Sequence, residues 1–358
     1  MHMKKFYALL LVLTMSVGSF VGCAKQEPAP EQPVVEQPVT EEPAEEPVQE
    51  GTVKTGLAVV TSLGKSKDAT ADAEGSGQSD SVVIAVTVDG EGKVVKAAID
   101  TAQTKIGFSA EGKVTSDLTA SYASKQELKD EYGMKKASKI GKEWYEQANA
   151  LAEYFVGKTA EEIKAIPTEA GVTTDADLVS SVTIKIDDYK AAAVAAIEGA
   201  QDLGAKAEDK LGLGIVTTIA KSKDAAADAA GLAQAYSTYT ATTFDADGNI
   251  TSSVLNASQA NVNFDATGKI TTDLTAPVKT KVELGEEYGM KKASKIGKEW
   301  FEQAAAYAEF AVGKSVEDLK AVEVDETGHV TDADLVSSVT VGNEDFNTAI
   351  EEALASAK

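Results

Sequence analysis

The feature that most constrains the fold of this chain is a tandem duplication. The segment Glu131–Trp144 recurs without change as Glu287–Trp300. A second segment, Thr174–Thr183, recurs as Thr331–Thr340. Each copy is much longer than the repeat unit of a solenoid, so the sequence predicts two complete homologous domains rather than a repeat array. The predicted domains cover residues 52–203 and 208–358.

The N-terminal half of each copy has the pattern of β-strands. Ser81–Val88 is rich in β-branched residues and is followed by a turn at Asp89–Gly92 and a second strand pattern at Lys93–Asp100. Strands joined by short turns of this kind form an antiparallel meander.

The C-terminal half of each copy has helical patterns. In the first copy, apolar residues at helical spacing predict a helix over Ser138–Phe155, and Gly157 supplies its stop signal. The sequence also predicts helices over Ser124–Tyr132, Thr159–Ala165 and Asp187–Ile197, the first two with capping-box signatures. The expected fold class is therefore α+β, with two tandem domains that each pack an antiparallel β-meander with helices.

The N-terminus has the pattern of a secretion signal. Residues 1–22 contain Lys4 and Lys5, then the apolar run Phe6–Met15, which is too short to span a bilayer permanently. Phe20–Cys23 resembles the lipobox of bacterial lipoproteins, which implies a lipid-linked Cys23 at the mature N-terminus. The alternative is an ordinary signal peptide followed by an incidental cysteine.

Residues 23–51 combine the lipidated cysteine with a linker rich in proline and glutamate. Such a composition cannot bury a core, and its charges and prolines keep it extended. The sequence therefore predicts a protein tethered by lipid to the cell membrane, with its domains on the extracellular face.

Composition excludes several classes of function. The formal net charge is -23, and the chain contains no arginine, so neither a nucleic-acid surface nor a guanidinium clamp on phosphate is expected. Cys23 is the single cysteine, and the histidines are His2 and His329. These residues are too few for a cysteine-rich metal site or a histidine-based triad, so no metal site is predicted.

The loop Asp177–Thr183 carries the most specific motif, D-x-x-S-x-x-T, which recurs as Asp334–Thr340. It resembles the flavinylation motif D-x-x-S/T-G-A-T of proteins that receive FMN from FAD through a dedicated transferase. The resemblance implies a phosphoester between FMN and each final threonine. The aspartate and serine of the motif are further candidate cofactor-site residues, and the aspartate is expected either to help the transferase position a metal and the threonine or to cap a turn. The residues concerned are Asp177, Ser180 and Thr183, with Asp334, Ser337 and Thr340.

The motif departs from the family pattern where Ser181 and Ser338 replace glycine, and where Val182 and Val339 replace alanine. The alternative interpretation of the loop is a serine- and threonine-rich strand entry with a turn-forming aspartate.

The retained block and this loop together resemble the flavinylated electron-transfer lipoproteins of Gram-positive bacteria, the PplA group. That resemblance covers both copies and the leader. It implies that electrons from a membrane quinone-linked dehydrogenase system pass through two bound FMN groups to extracellular acceptors. It also implies an FAD:protein FMN transferase as a partner. The chain would then be an electron carrier rather than a stand-alone enzyme.

Aromatic and thioether side chains in the retained block are candidates to flank the flavin ring, because the ring is flat and largely apolar. The candidates are Tyr132, Met134 and Trp144, with Tyr288, Met290 and Trp300. The alternative is that each tryptophan lies on the apolar stripe of its helix and packs in the core.

Two other functions remain open from the sequence. One is a non-redox surface lipoprotein, a binding module or the source of a pheromone cut from the signal peptide. The other is a terminal reductase, which the absence of a catalytic acid–base constellation disfavours.

Overall fold

The computed structural model describes residues 51–358, which belong to one compact unit, Pro47–Lys358. The predicted signal peptide, Cys23 and all but the last residue of the linker lie outside the described residues. Between residues 51 and 358, no helix is long and apolar enough to cross a bilayer. Helices and antiparallel sheets are both present, which confirms the α+β class.

The first repeat begins with an antiparallel meander of order β1-β2-β3 and continues with helices. Its elements are β1 (Lys54–Ser62), β2 (Gly75–Val88), β3 (Val94–Phe108), α1 (Lys125–Leu128), α2 (Trp144–Phe155), α3 (Ala160–Lys164), the short hairpin β4 (Thr168–Glu169) and β5 (Val172–Thr173), and α4 (Asp187–Glu198).

The second repeat has the same order of strands and long helices. Its elements are β6 (Lys210–Thr218), β7 (Gly231–Phe244), β8 (Ile250–Phe264), α5 (Lys281–Leu284), α6 (Trp300–Ala311), α7 (Val316–Lys320) and α8 (Glu344–Ser356). A single turn of 3₁₀ helix follows α1, over Lys129–Tyr132, and another follows α5, over Gly285–Tyr288.

The helix predicted over Ser138–Phe155 is wrong at its start, because α2 begins only at Trp144. Gly141 has a left-handed backbone (φ 65°), which breaks the helical path. Glu143 then serves as the N-cap residue, and its own N–H donates to Glu146 Oε2 at 2.7 Å. Residues 138–143 are therefore a loop. The capping boxes at Ser124 and Thr159 are confirmed.

The strands β2 and β3 are longer than the sequence pattern indicated. The additional residues of β2 pair in register with β3, from Gly75 opposite Phe108 to Asp80 opposite Gln103. This part of β2 is polar, so a prediction based on apolar and β-branched residues did not include it. Gln78 in this part is buried, and its Nε2 donates to Asp80 Oδ2 (2.9 Å).

Each three-stranded sheet has buried residues on both faces. In β2, Val82, Ile84 and Val86 pack against the core formed with α2 and α4, while the alternate residues Val83 and Ala85 contact the strands of the second repeat. This alternation follows from the two-residue period of a strand. The molecule is thus layered as helices, sheet, sheet and helices.

The two repeats exchange matching contacts, as in an isologous interface. Phe108 and Phe264 stack with their ring centroids 4.1 Å apart. The backbone N–H of Val114 donates to Asp224 Oδ1 (2.8 Å), and that of Ile270 donates to Asp68 Oδ1 (2.7 Å). The repeats therefore share a core, and their division into domains 52–203 and 208–358 stays a prediction.

Candidate functional site

The two motif threonines are held in the same way by a buried glutamine of the neighbouring helix. Thr183 donates to Gln147 Oε1 from its backbone N–H (2.8 Å) and from Oγ1 (3.2 Å). Thr340 makes the equivalent bonds to Gln303 Oε1, at 2.9 and 3.3 Å. Both glutamines are fully buried. One amide oxygen therefore fixes the backbone and the hydroxyl of each threonine.

These glutamines connect the motif loop to the retained block. Gln147 Nε2 donates to Ser138 Oγ at 3.1 Å, and Gln303 Nε2 donates to Ser294 Oγ at 3.2 Å. A buried side-chain amide with both ends paired is a rigid support. Sequence reasoning missed Gln147 and Gln303, although a polar residue on the apolar stripe of both α2 and α6 was a usable signal.

Buried apolar residues pin each motif loop and leave its polar positions outside. Leu178 and Val182 are buried, whereas Asp177 and Ser180 are exposed. In the second repeat Leu335 and Val339 are likewise buried, and Asp334 and Ser337 are exposed. The aspartate and serine are thus accessible to another protein.

The departures from the family motif fit this loop. Val182 and Val339 fill core positions, so the larger side chain adds apolar burial. Within residues 51–358, Lys129 and Ala170 are the non-glycine residues with positive φ, so neither Ser181 nor Ser338 occupies a conformation that needs glycine.

The turn at the start of the motif is formed by a different aspartate from the one that sequence reasoning considered. Asp175 Oδ1 accepts the N–H of Asp177 (3.0 Å), and Asp332 Oδ1 accepts the N–H of Asp334 (3.0 Å). Asp175 and Asp332 are therefore the turn-forming residues. Asp177 and Asp334 are the residues that this turn supports.

In the second repeat, the structure brings Tyr288, Met290 and Trp300 together along one cleft of about 340 Å³. Val341 and Gly342, which directly follow Thr340, line the same cleft. The volume lies within the range of small-molecule sites. The predicted ring neighbours therefore line the same cleft as the two residues that follow the predicted attachment point, Thr340.

Both tryptophans are also core residues, as the alternative interpretation held. Trp144 and Trp300 are 2% and 3% exposed. Trp144 Nε1 donates to the Tyr189 hydroxyl at 3.2 Å. Tyr132 and Met134 are half-buried and pack beside Trp144 at the edge of the first core.

A buried lysine that sequence reasoning missed lies in each site. Lys281 lines the cleft of the second repeat, and its Nζ donates to the Tyr236 hydroxyl at 2.9 Å. Burial, assisted by repulsion from Lys221, lowers the pKa of Lys281 to about 7, against the attraction of Asp345. In the first repeat, Lys125 is buried at the corresponding position.

Known proteins offer little guidance. No protein-family model matches the chain, and no solved structure matches it. A segment of 43 residues is 49% identical to part of a chlorophenol reductase of Desulfitobacterium hafniense. This segment covers 12% of this chain and 13% of that protein. The match thus spans about an eighth of each chain.

Proposed function

We propose that this chain is a membrane-anchored extracellular flavoprotein that carries two FMN groups, one esterified to Thr183 and one to Thr340. The main support for the proposal is the second-repeat cleft. Val341 and Gly342, which follow Thr340, line this cleft together with Tyr288, Met290 and Trp300. Aromatic and thioether groups suit a flat ring. The hydroxyl of Thr340 is half-buried and oriented by Gln303.

The attachment chemistry requires a threonine oxygen presented to an incoming enzyme. The transferase would join Thr340 Oγ1 to the FMN phosphorus of FAD. The pyrophosphate P–O bond breaks, AMP leaves and the hydroxyl proton is released. The transferase would contact the exposed Asp334 and Ser337. Leu335 and Val339 hold the loop in place because their side chains are buried in the core. The first repeat would be modified in the same way at Thr183.

A covalent link suits the composition of this chain. Without arginine, the protein cannot build a guanidinium cradle for phosphate. An ester makes retention of the cofactor independent of noncovalent affinity, so a shallow cleft is sufficient. Bound FMN supplies reversible two-electron chemistry, and the protein sets its exposure and potential. The proposed donor is a membrane quinone-linked dehydrogenase system, and the proposed acceptors are extracellular.

The test is an intact-mass measurement of protein co-expressed with an FAD:protein FMN transferase. We expect two FMN adducts on the unmodified sequence, one on each of Thr183→Ala and Thr340→Ala, and none on the double variant. Thr174→Ala and Thr331→Ala are matched controls, because both residues are exposed threonines just before the motifs, and each control should keep two adducts. A colourless protein without adducts would contradict the proposal and favour a non-redox surface lipoprotein.

The membrane anchor is tested separately. Replacing Cys23 by alanine should release the protein from the cell surface into the medium, because a lipid linked to that residue is the proposed anchor. Immunoblots of cell and medium fractions measure the distribution. Retention of Cys23→Ala at the cell surface would contradict lipid anchoring.

A further inference from the structure

Lys281 is a basic side chain withdrawn from water inside the second-repeat cleft. It is 4% exposed. Its Nζ lies 4.6, 4.7 and 4.8 Å from the ring centroids of Tyr236, Tyr288 and Trp300. The ring faces offer only a weak attraction to the charge, far smaller than the hydration that burial removes.

This ammonium has no carboxylate partner. None of the ion pairs formed by residues 51–358 includes Lys281. Asp345 lines the same cleft and acts on Lys281 only through space. Burial without a carboxylate partner favours the neutral amine, and an anionic ligand in the cleft would favour the ammonium form.

The first repeat preserves the lysine and two of the rings, and it also keeps other lining residues, among them Lys65, Met134 and Asp188 at the positions of Lys221, Met290 and Asp345. Lys125 Nζ lies 4.6 Å from the Tyr132 ring and 5.3 Å from the Trp144 ring. Asp80 takes the place of Tyr236 and is paired with Lys65 at 3.1 Å. The lysine and two of its rings are therefore among the features of the site that both repeats keep.

Resting on the proposed function, we propose that Lys281, and Lys125 in the first repeat, stabilise the negative charge of the reduced FMN ring and so raise its reduction potential. Two electrons from a reductant and one proton from solvent leave one negative charge on the ring. An ammonium beside that charge favours the reduced state, since Coulombic attraction strengthens where water is excluded, as it is around the buried Lys281. In the cleft as it stands, burial lowers the pKa of Lys281 to about 7, and an anion beside the amine would shift it back towards the protonated form.

The experiment uses the full chain carrying Thr183→Ala, so that its FMN is on Thr340 alone. Intact mass first establishes the adduct. The midpoint potential is then measured in a potentiometric titration with dithionite, in which the flavin absorbance is followed. Lys281→Met should lower the potential, since the reduced form loses at least tenfold in relative stability, which is about 30 mV for a two-electron couple. Lys281→Arg should restore most of the difference. Lys292→Met, at an exposed lysine of the retained block, should leave the potential unchanged.

The outcomes separate the two proposals. A Thr183→Ala protein without an adduct overturns the proposed function. An adduct on Lys281→Met with an unchanged potential overturns the role of Lys281. If a smaller fraction of Lys281→Met carries FMN but its potential is unchanged, the proposed role of Lys281 is also overturned. The lysine would then act on the phosphate or on attachment. If Lys281→Met does not fold, as circular dichroism would show, Lys125→Met in a Thr340→Ala chain decides the question by the same measurement.

Discussion

At the scale of single residues, the buried glutamine beside each motif threonine makes the sharpest prediction. Gln303→Ala removes the acceptor for the backbone N–H groups of Thr340 and Val341, so the motif loop loosens. We expect a loss of roughly 2–3 kcal/mol in the free energy of unfolding. We also expect lower FMN occupancy at Thr340 but unchanged occupancy at Thr183.

Peptide mass spectrometry of both motif loops measures the two occupancies in one sample, so the unaltered repeat is the control. The mirrored variant Gln147→Ala should reverse the pattern. Equal occupancy in both repeats of Gln303→Ala would show that the hydrogen bonds to Gln303 do not prepare the threonine for attachment.

Asp100 makes a pH-dependent prediction. Burial is the main cause that raises its pKa from 3.8 to about 6. A carboxyl group with a raised pKa supports folding at low pH, and that support is lost as pH rises through the folded-state value. Asp100→Asn should therefore gain up to roughly 3 kcal/mol over the parent between pH 4 and pH 8. Urea unfolding at both pH values measures the difference.

The second repeat supplies the control for this prediction. Asn256 occupies the corresponding position and accepts the N–H groups of Ala257 (2.8 Å) and Val282 (3.3 Å). In the first repeat, Asp100 accepts those of Thr101 (2.6 Å) and Gln126 (3.0 Å). Asn256→Asp should thus lose stability at pH 8. A pH-independent difference for Asp100→Asn would contradict the assignment.

At the scale of elements, Glu143 connects a helix start to a loop. Its carboxylate accepts the N–H groups of Met134 (2.7 Å) and Lys135 (3.0 Å), and the residue is the N-cap of α2. Glu143→Ala should cost roughly 2 kcal/mol or more, because the cap and two backbone donors lose their partner. Denaturant unfolding measures the loss. Glu153→Ala, at an exposed position on the same helix, should stay within about 0.5 kcal/mol of the parent.

The same element shows where sequence reasoning failed. The spacing of apolar residues predicted that the helix begins at Ser138. Periodicity does not reveal that Gly141 adopts a left-handed backbone. The caps at Ser124 and Thr159 were predictable because each depends on residues three apart in the chain. The bond from Glu143 to Met134 depends on a loop path that is set by packing.

At the scale of the whole molecule, the shared core predicts that the repeats unfold together. Phe108 is fully buried and stacks on Phe264 of the other repeat. Phe108→Ala should cost roughly 3–5 kcal/mol. Because the core is common, the loss should destabilise both repeats in a single transition.

The chain contains a reporter for each repeat, since its two tryptophans are Trp144 and Trp300. Fluorescence of single-tryptophan variants, made by Trp144→Phe or Trp300→Phe, follows each repeat separately. Phe108→Ala should lower both unfolding midpoints by the same amount. A shift confined to Trp144 would contradict coupling and support two independent domains.

The sequence by itself determined the features written in local patterns: the duplication, the α+β class, the meander turns, several helix caps and the two motif threonines. Tertiary structure decided what depends on residues distant in the chain. It placed Gln147 and Gln303 under the threonines, buried Lys125 and Lys281 among aromatic rings, and joined the repeats through Phe108 and Phe264. The physical reason is that local patterns record backbone preference and burial, whereas a partner across the core is selected only when the sheets and helices pack.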